Sequence, residues 1–327
     1  MRRSRQRTLR WLAGYVAVVS ALPYLALKLV WLGGGTLGVA DPAMMRETSM
    51  VVLNAITAGM DVVAIFLALA FTHDWGSRVP PWLVLPPMWV ASGLLATFVV
   101  AVPVTAILSA VTSESPPVVT GGPVERWVYV LVYLEFAGLG VGLLTAFLLH
   151  ARARWAAVFQ PASHIVRQAA THPLQVVLAN AGAPIAIALG VLSLAWAVGA
   201  TVGLPQGAAG HRTVFGAVFN GTDAVLAISA AAGVLMMVHR MRETLPGWVS
   251  VAMAWTGTGS LFGWGLWRTI NVLGETALMG GLEGTGFLNL VGLLRLVVGL
   301  VLGMLMQIIL TERCAASRTS AAVHKPV

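Results

Sequence analysis

A single cysteine, Cys314, is all the thiol chemistry in 327 residues, so an intrachain disulfide and a cysteine metal cluster are both excluded. Charge is scarce too. Charged residues make up 10% of the chain, against roughly one quarter in a soluble domain, and two lysines stand beside eighteen arginines. Also missing are a Walker loop, a dinucleotide glycine fingerprint, a His-Glu-x-x-His pair and a nucleophile elbow. Neither a metal nor a cofactor is therefore expected.

What the chain has is apolar length. Hydrophobic residues reach 58%, with a mean hydropathy of +0.84. A hydrocarbon core of ~30 Å takes ~20 helical residues, and apolar stretches of that size run at approximately 9–32, 49–72, 82–110, 126–150, 172–201, 213–238, 247–272 and 286–311. The expected fold is all-α, a polytopic membrane bundle of eight transmembrane helices whose solvent is the lipid bilayer.

The stretches are related to one another. Asn54, His73, Trp82, Trp89 and Gly93 recur as Asn220, His239, Trp248, Trp255 and Gly259, all 166 positions later. A shift of 165 carries Trp31, Gly34, Thr36 and Gly38 onto Trp196, Gly199, Thr201 and Gly203, and a shift of 161 carries Gly138 and Gly142 onto Gly299 and Gly303. Those last are Gly-x-x-x-Gly pairs, which permit close helix approach. Four spans per repeat is an even number, so both repeats enter the membrane the same way and are expected to be parallel. The resulting organisation is a first four-helix repeat over 1–150, a linker over 151–171, a second repeat over 172–313 and a tail over 314–327. In the linker, Trp155, Val158 and Phe159 share one face of an expected interfacial helix. Pro116, Pro117, Gly121, Gly122 and Pro123 mark an outer loop.

The formal charge of +8 is distributed by side of the membrane. Arg2, Arg3, Arg5, Arg7, Arg10, Arg78, Arg152, Arg154, Arg167, Arg240, Arg242, Arg313, Arg318 and Lys325 fall in the tails and alternate loops. The opposite loops hold Arg46, Arg126 and Arg212 against Asp41, Glu47, Glu114, Glu125, Glu275 and Glu283. By the positive-inside rule this is a multi-pass protein of the cell membrane with both termini, linker and tail cytoplasmic. Nucleic acid is not an expected partner, because the basic residues fall in the tails and alternate loops, where the positive-inside rule alone accounts for them. The Arg-rich start followed by an apolar run resembles a signal peptide, but its counterpart in the second repeat argues that it stays.

Six ionisable residues fall inside the expected spans: Lys28, Asp61, Glu135, Asp223, Arg268 and Arg295. A charge in hydrocarbon costs at least ~2.5–3.5 kcal/mol on insertion scales, so each needs a partner or water. At ~1.5 Å rise per residue, Asp61 lies roughly 18 Å below the outer helix end and Glu135, Asp223 and Arg295 roughly 14–15 Å below theirs, with Lys28 and Arg268 nearer the surface. One common cavity in the outer half of the membrane follows as the expectation. Asp61 shares a helix face with Asn54, seven residues earlier, and Asp223 with Asn220, three residues earlier, so the two acids are expected to face each other across the repeat axis. The bland alternative is a set of interhelical ion pairs that only hold the bundle together.

Lys28 is expected to snorkel to the outer interface, although a buried lysine can release its proton where an arginine cannot. Trp31, Trp89, Trp196, Trp255, Trp264 and Trp267 are candidates for an aromatic cavity or for interfacial belts. His73 and His239 end their spans, where headgroup contact or helix capping is expected rather than metal binding.

An intramembrane acid beside aromatic faces can protonate an epoxide or alkene and stabilise the cation that follows. With an acid in its second helix, Asp61, and another in a later helix, Asp223, the chain resembles the integral-membrane terpene cyclases of indole-terpenoid and meroterpenoid pathways. The resemblance implies that these two acids protonate an isoprenoid and arrange its cyclisation; eight helices instead of the seven usual in fungal members is a departure. The Gly-, Ala- and Arg-rich style also looks like that of actinobacterial membrane proteins. The expected catalytic residues are Asp61, Asp223 and Glu135, and the expected contacts to a lipophilic small-molecule substrate are Asn54, Asn220, Lys28, Arg268, Arg295, Trp89 and Trp255. A proton-coupled transporter and a non-catalytic scaffold are the competing classes. A transporter calls for acids reachable in turn from both faces, whereas these charges favour one.

Overall fold

A computed structural model describes residues 2–112, 124–156, 170–205, 213–239, 246–273 and 286–323. The outer loop around Pro116 and Pro123, and the linker residues Val158 and Phe159, lie outside the described residues. The described chain is all-helical: α1 (Arg2–Leu32), a single turn α2 (Pro42–Met45), α3 (Thr48–Thr72), α4 (Pro81–Thr112), α5 (Arg126–Arg154), α6 (His172–Ala197), α7 (Val214–His239), α8 (Gly247–Leu273) and α9 (Gly286–Val323). The eight long helices coincide with the eight apolar stretches. Differences fall at their ends. The basic start of α1 is already helical at Arg2, α9 continues to Val323 through most of the expected tail, and α6 stops at Ala197. The last has a local cause, because Gly199 takes a φ of 103°, a left-handed conformation that a helix cannot continue through.

Seven of the long helices are long and apolar enough to cross a membrane, and α8 is the exception. Its sequence places Gly, Ser, Thr and Trp where the others place aliphatic residues, and twelve of its 27 residues are buried. It packs against α4, α7 and α9. Small residues allow this enclosure: at the crossing of α4 and α8 the backbones meet at Gly93 and Gly259, where a Cβ on either would overlap the other helix. Beside this crossing the Trp89 indole donates to Thr258 Oγ1 at 3.0 Å and the Trp255 indole to Ser92 Oγ at 2.7 Å. The two donors are 166 residues apart, and so are the two acceptors.

Outer turns match as well. Trp31 donates to the carbonyl of Leu37 and Trp196 to that of Val202, and Gly38 and Gly203 have φ angles of 71° and 72°. At the opposite end of the bundle, Arg7 and Arg10 approach Asp74, and Arg154 donates to the carbonyls of Gly76 and Val79. The starts of α1 and α4 and the ends of α3 and α5 are therefore gathered at one arginine-bearing end.

One helix pairing differs sharply between the halves. α7 and α8 pack closely because Gly233 and Gly257 have no side chains; a Cβ at Gly233 would overlap the backbone of Ala254, and one at Gly257 that of Ala230. The residues 166 positions earlier are Leu67 and Ala91. There α3 and α4 make little contact, and the bundle is left with a cleft.

Candidate functional site

The cleft has a volume of about 180 Å³ and lies between α3 on one side and α4 and α8 on the other, with α5 contributing the rest of its wall. Its lining is almost wholly apolar: Met60 and Ala64 from α3, Ala91, Leu94 and Phe98 from α4, Phe136 and Leu139 from α5, Trp264 and Trp267 from α8. Phe98 organises the aromatic part, with ring centroids 4.6 Å from Phe136 and 5.8 Å from Trp264. Met60 is exposed on the outside of the bundle, so the cleft reaches the outer surface of α3. Polar groups come to its wall from Lys28, Thr57 and Asp61.

Lys28 and Asp61 form a buried ion pair, Nζ to Oδ2 at 2.7 Å, with the lysine 1% and the aspartate 4% exposed. The expected snorkelling of Lys28 to the outer interface is overturned. Side chains on a helix lean back toward its N-terminus, and the Lys28 ammonium accordingly sits 4.1 Å from the centroid of the Tyr24 ring, one turn earlier, where Asp61 can receive it. Direct attraction and the absence of bulk water bind the pair, while desolvation offsets much of the gain.

Glu135 completes this cluster from α5. It is 1% exposed, within electrostatic reach of Lys28 and Asp61, and neither carboxyl oxygen has a hydrogen-bond partner among the described residues. Two carboxyls thus stand beside one cation. Such an arrangement is costly in hydrocarbon unless a further proton or donor is supplied.

Asp223 is in a different place. Arg295 of α9 engages it through both guanidinium ends, Nη1 to Oδ1 at 3.0 Å and Nη2 to Oδ2 at 2.6 Å, and Ser193 of α6 donates to Oδ2 at 2.8 Å. A bidentate arginine is the strong form of this contact, and it closes the cluster without an unpaired carboxyl. Arg268 turns the other way, to Asn289 Oδ1 at 3.1 Å.

The single cavity expected from sequence is therefore two clusters. Of the six intramembrane ionisable residues, Lys28 and Asp61 line the cleft, Glu135 lies beside them, and Asp223, Arg295 and Arg268 belong to the second half. Asp61 and Asp223 each face a cation on a neighbouring helix instead of each other. Asn54 is buried two helical turns before Asp61 and Asn220 is half-buried; neither lines the cleft. Trp89 and Trp255 serve the α4–α8 crossing, whereas Trp264 and Trp267 are cleft walls. His73 caps α3, with its Nδ1 3.0 Å from the Leu69 carbonyl, and His239 ends α7 with Nε2 2.9 Å from Asn180 Oδ1. Sequence reasoning missed Tyr24, Phe98 and Phe136, which read as ordinary apolar-helix residues. No protein-family model, no curated protein and no solved structure matches this chain.

Proposed function

We propose that this protein is an integral enzyme of the cell membrane which takes one end of an isoprenoid chain from the bilayer into the α3–α4 cleft and cyclises it by proton transfer, in the manner of the membrane terpene cyclases it resembles. Eight spans, arranged as two parallel four-helix repeats with both termini cytoplasmic, carry the site. The reciprocal Trp89–Thr258 and Trp255–Ser92 bonds support the repeat, because contacts across a twofold axis come in such matched pairs. The gathering of Arg7, Arg10 and Arg154 at one end supports the orientation. α8 is the eighth span, its polarity sheltered by α4, α7 and α9.

One observation carries the functional reading: an apolar, aromatic cleft that reaches the outer surface of α3 has a carboxylate, Asp61, as its acid. A cavity of roughly 150 Å³ holds a benzene molecule, so about 180 Å³ takes one or two isoprene units while the rest of a longer chain stays in lipid. Phe98, Phe136, Trp264 and Trp267 line the cleft, and aromatic rings at that place supply the π density that stabilises a developing carbocation.

The test is to incubate membranes containing the protein with prenylated indoles and free polyprenyl compounds and to identify products by mass spectrometry and NMR. Replacing Asp61 with Asn keeps the shape and removes the acid, so turnover should fall by the ~10²–10⁴-fold typical of general acid catalysis. Unchanged product formation in D61N would sink the assignment. Proton-coupled solute uptake in proteoliposomes, without cyclised product, would replace the enzyme by a transporter.

A further inference from the structure

Asp61 is bonded to an ammonium in the resting structure, and a carboxylate in that condition has no proton to give. The proton must come from elsewhere in the cluster. Glu135 is the group placed to hold it: it is 1% exposed, and both its oxygens lack a partner among the described residues. It lies on the stretch of α5 that packs on α1, with Gly138 against Ser20 and Leu131 against the Tyr24–Trp31 cluster, next to Phe136, which lines the cleft with Lys28 and Asp61. The titratable groups brought near it are Tyr24 and Lys28 from α1, Asp61 from α3 and, through Tyr24, Tyr129 of α5. α4 carries none.

We propose that Lys28, Asp61 and Glu135 form a one-proton store in which the Lys28 ammonium moves between two carboxyl partners, so that the proton moves the opposite way. In the resting form Lys28 pairs with Asp61 and the proton is on Glu135. In the loaded form the Glu135 O–H bond has broken, an Asp61 O–H bond has formed, and Lys28 pairs with Glu135. One cation, one carboxylate and one neutral carboxyl are present in both, so the exchange creates no net charge in a medium where an unpaired ion is costly.

This inference rests on the cyclase reading for its use and on geometry for its existence. The loaded Asp61 O–H bond breaks, its proton forms a C–H bond with the electron pair of a substrate double bond, and a carbocation is left beside the restored carboxylate. A second double bond of the same chain donates its pair to that carbon, closing the ring and moving the cation onward. Loss of a neighbouring C–H proton from the cyclised cation returns the proton to Asp61, and the reverse exchange returns it to Glu135. The cycle consumes no proton, as an isomerisation requires. Glu135 does not itself touch substrate; it acts through Asp61.

The experiment is infrared difference spectroscopy, in ordinary and heavy water, on the full chain held in lipid discs without substrate. The wild type should show the carbonyl stretch of one buried protonated carboxyl, moved by deuterium. Glu135→Gln should remove it. Asp61→Asn should also remove it, although Glu135 is still present, because Lys28 then has Glu135 as its remaining carboxylate partner; this variant keeps the test alive should E135Q fold poorly. Asp223→Asn should leave the band in place. Absence of the band from the wild type, its survival in E135Q, or its survival in D61N would overturn the proposal. The expected spectra without any cyclised product would reject the cyclase reading and leave the proton store standing.

Discussion

Each half of the molecule buries one polar cluster at the junction of its first, second and fourth long helices, and the two clusters are composed differently. In the first half α1, α3 and α5 bring Lys28, Asp61 and Glu135; in the second half α6, α7 and α9 bring Ser193, Asp223 and Arg295. Lys28 and Ser193 are 165 positions apart, the shift that relates their helices. Moving the cation from the first helix to the fourth, and replacing one carboxyl by a hydroxyl, turns a cluster with an unmatched acid into one whose charges cancel. The unmatched cluster borders the cleft and the matched one does not. Packing follows the same division, since the glycines that draw α7 onto α8 are Leu67 and Ala91 where α3 leaves α4. The second half packs closed where the first stays open, and the positions that differ across the shift are the ones around the cleft.

The comparison breaks most readily at the charges. Arg295→Met leaves Asp223 buried with Ser193 as its remaining donor, and removing one partner of a buried ion pair costs about 3–5 kcal/mol, so the protein in lipid discs should lose much of its thermal stability. Adding Asp223→Leu should restore most of it. Lys28→Met should cost less than Arg295→Met, because a protonated Glu135 can donate to the Asp61 carboxylate that Lys28 leaves, whereas Asp223 keeps only the Ser193 hydroxyl. Equal losses from the two single variants would mean that the halves are electrostatically alike.

A smaller effect tests the packing difference. Gly257→Ala pushes a methyl into the backbone of Ala230 and should cost about 1–3 kcal/mol, the range for overpacking a tight contact. At the related position Ala91→Leu extends into the cleft. It should change stability less than Gly257→Ala while abolishing uptake of a lipophilic fluorescent probe. If Ala91→Leu destabilised the protein as much as Gly257→Ala, the cleft would not be open space.

Much of this was legible before any coordinates. Apolar length located all eight long helices, the constant shift picked out Trp89, Gly93, Trp255 and Gly259 but not that they meet where α4 crosses α8, and the cost of charge in hydrocarbon singled out Asp61, Glu135 and Asp223. Pairing was harder to read. Lys28 is close to the end of α1 by count, and only the backward lean of its side chain over Tyr24 brings the ammonium to Asp61. Phe98 and Phe136 had no signal of their own in a chain rich in apolar residues. A signal did exist in the comparison of the two halves, where Lys28 faces Ser193, Ala91 faces Gly257 and Leu67 faces Gly233 across the shifts. Those positions are differences between the halves, so recurring residues do not reveal them.

The smallest expected effect sharpens the repeat itself. Trp89→Phe and Trp255→Phe each keep an aromatic ring at the α4–α8 crossing and remove one indole N–H, the donor to Thr258 in one case and to Ser92 in the other. Both acceptor hydroxyls keep their own bonds, Thr258 to the Ala254 carbonyl and Ser92 to the Trp89 carbonyl, so no buried hydroxyl proton is orphaned. Hydrogen bonds between membrane helices are worth about 0.6 kcal/mol on average. Each variant should lose about that much, and a double variant should lose the sum, because the bonds share no atoms. Their neighbours differ: the Trp89 ring stacks on Phe262 at 4.9 Å between centroids, and Trp255 on Phe147 at 5.5 Å. Losses that agree would show that the reciprocal bonds, and not these neighbours, set the energy of the crossing. A loss several times larger in one variant would limit the symmetry to backbone geometry and leave the crossing energetically one-sided.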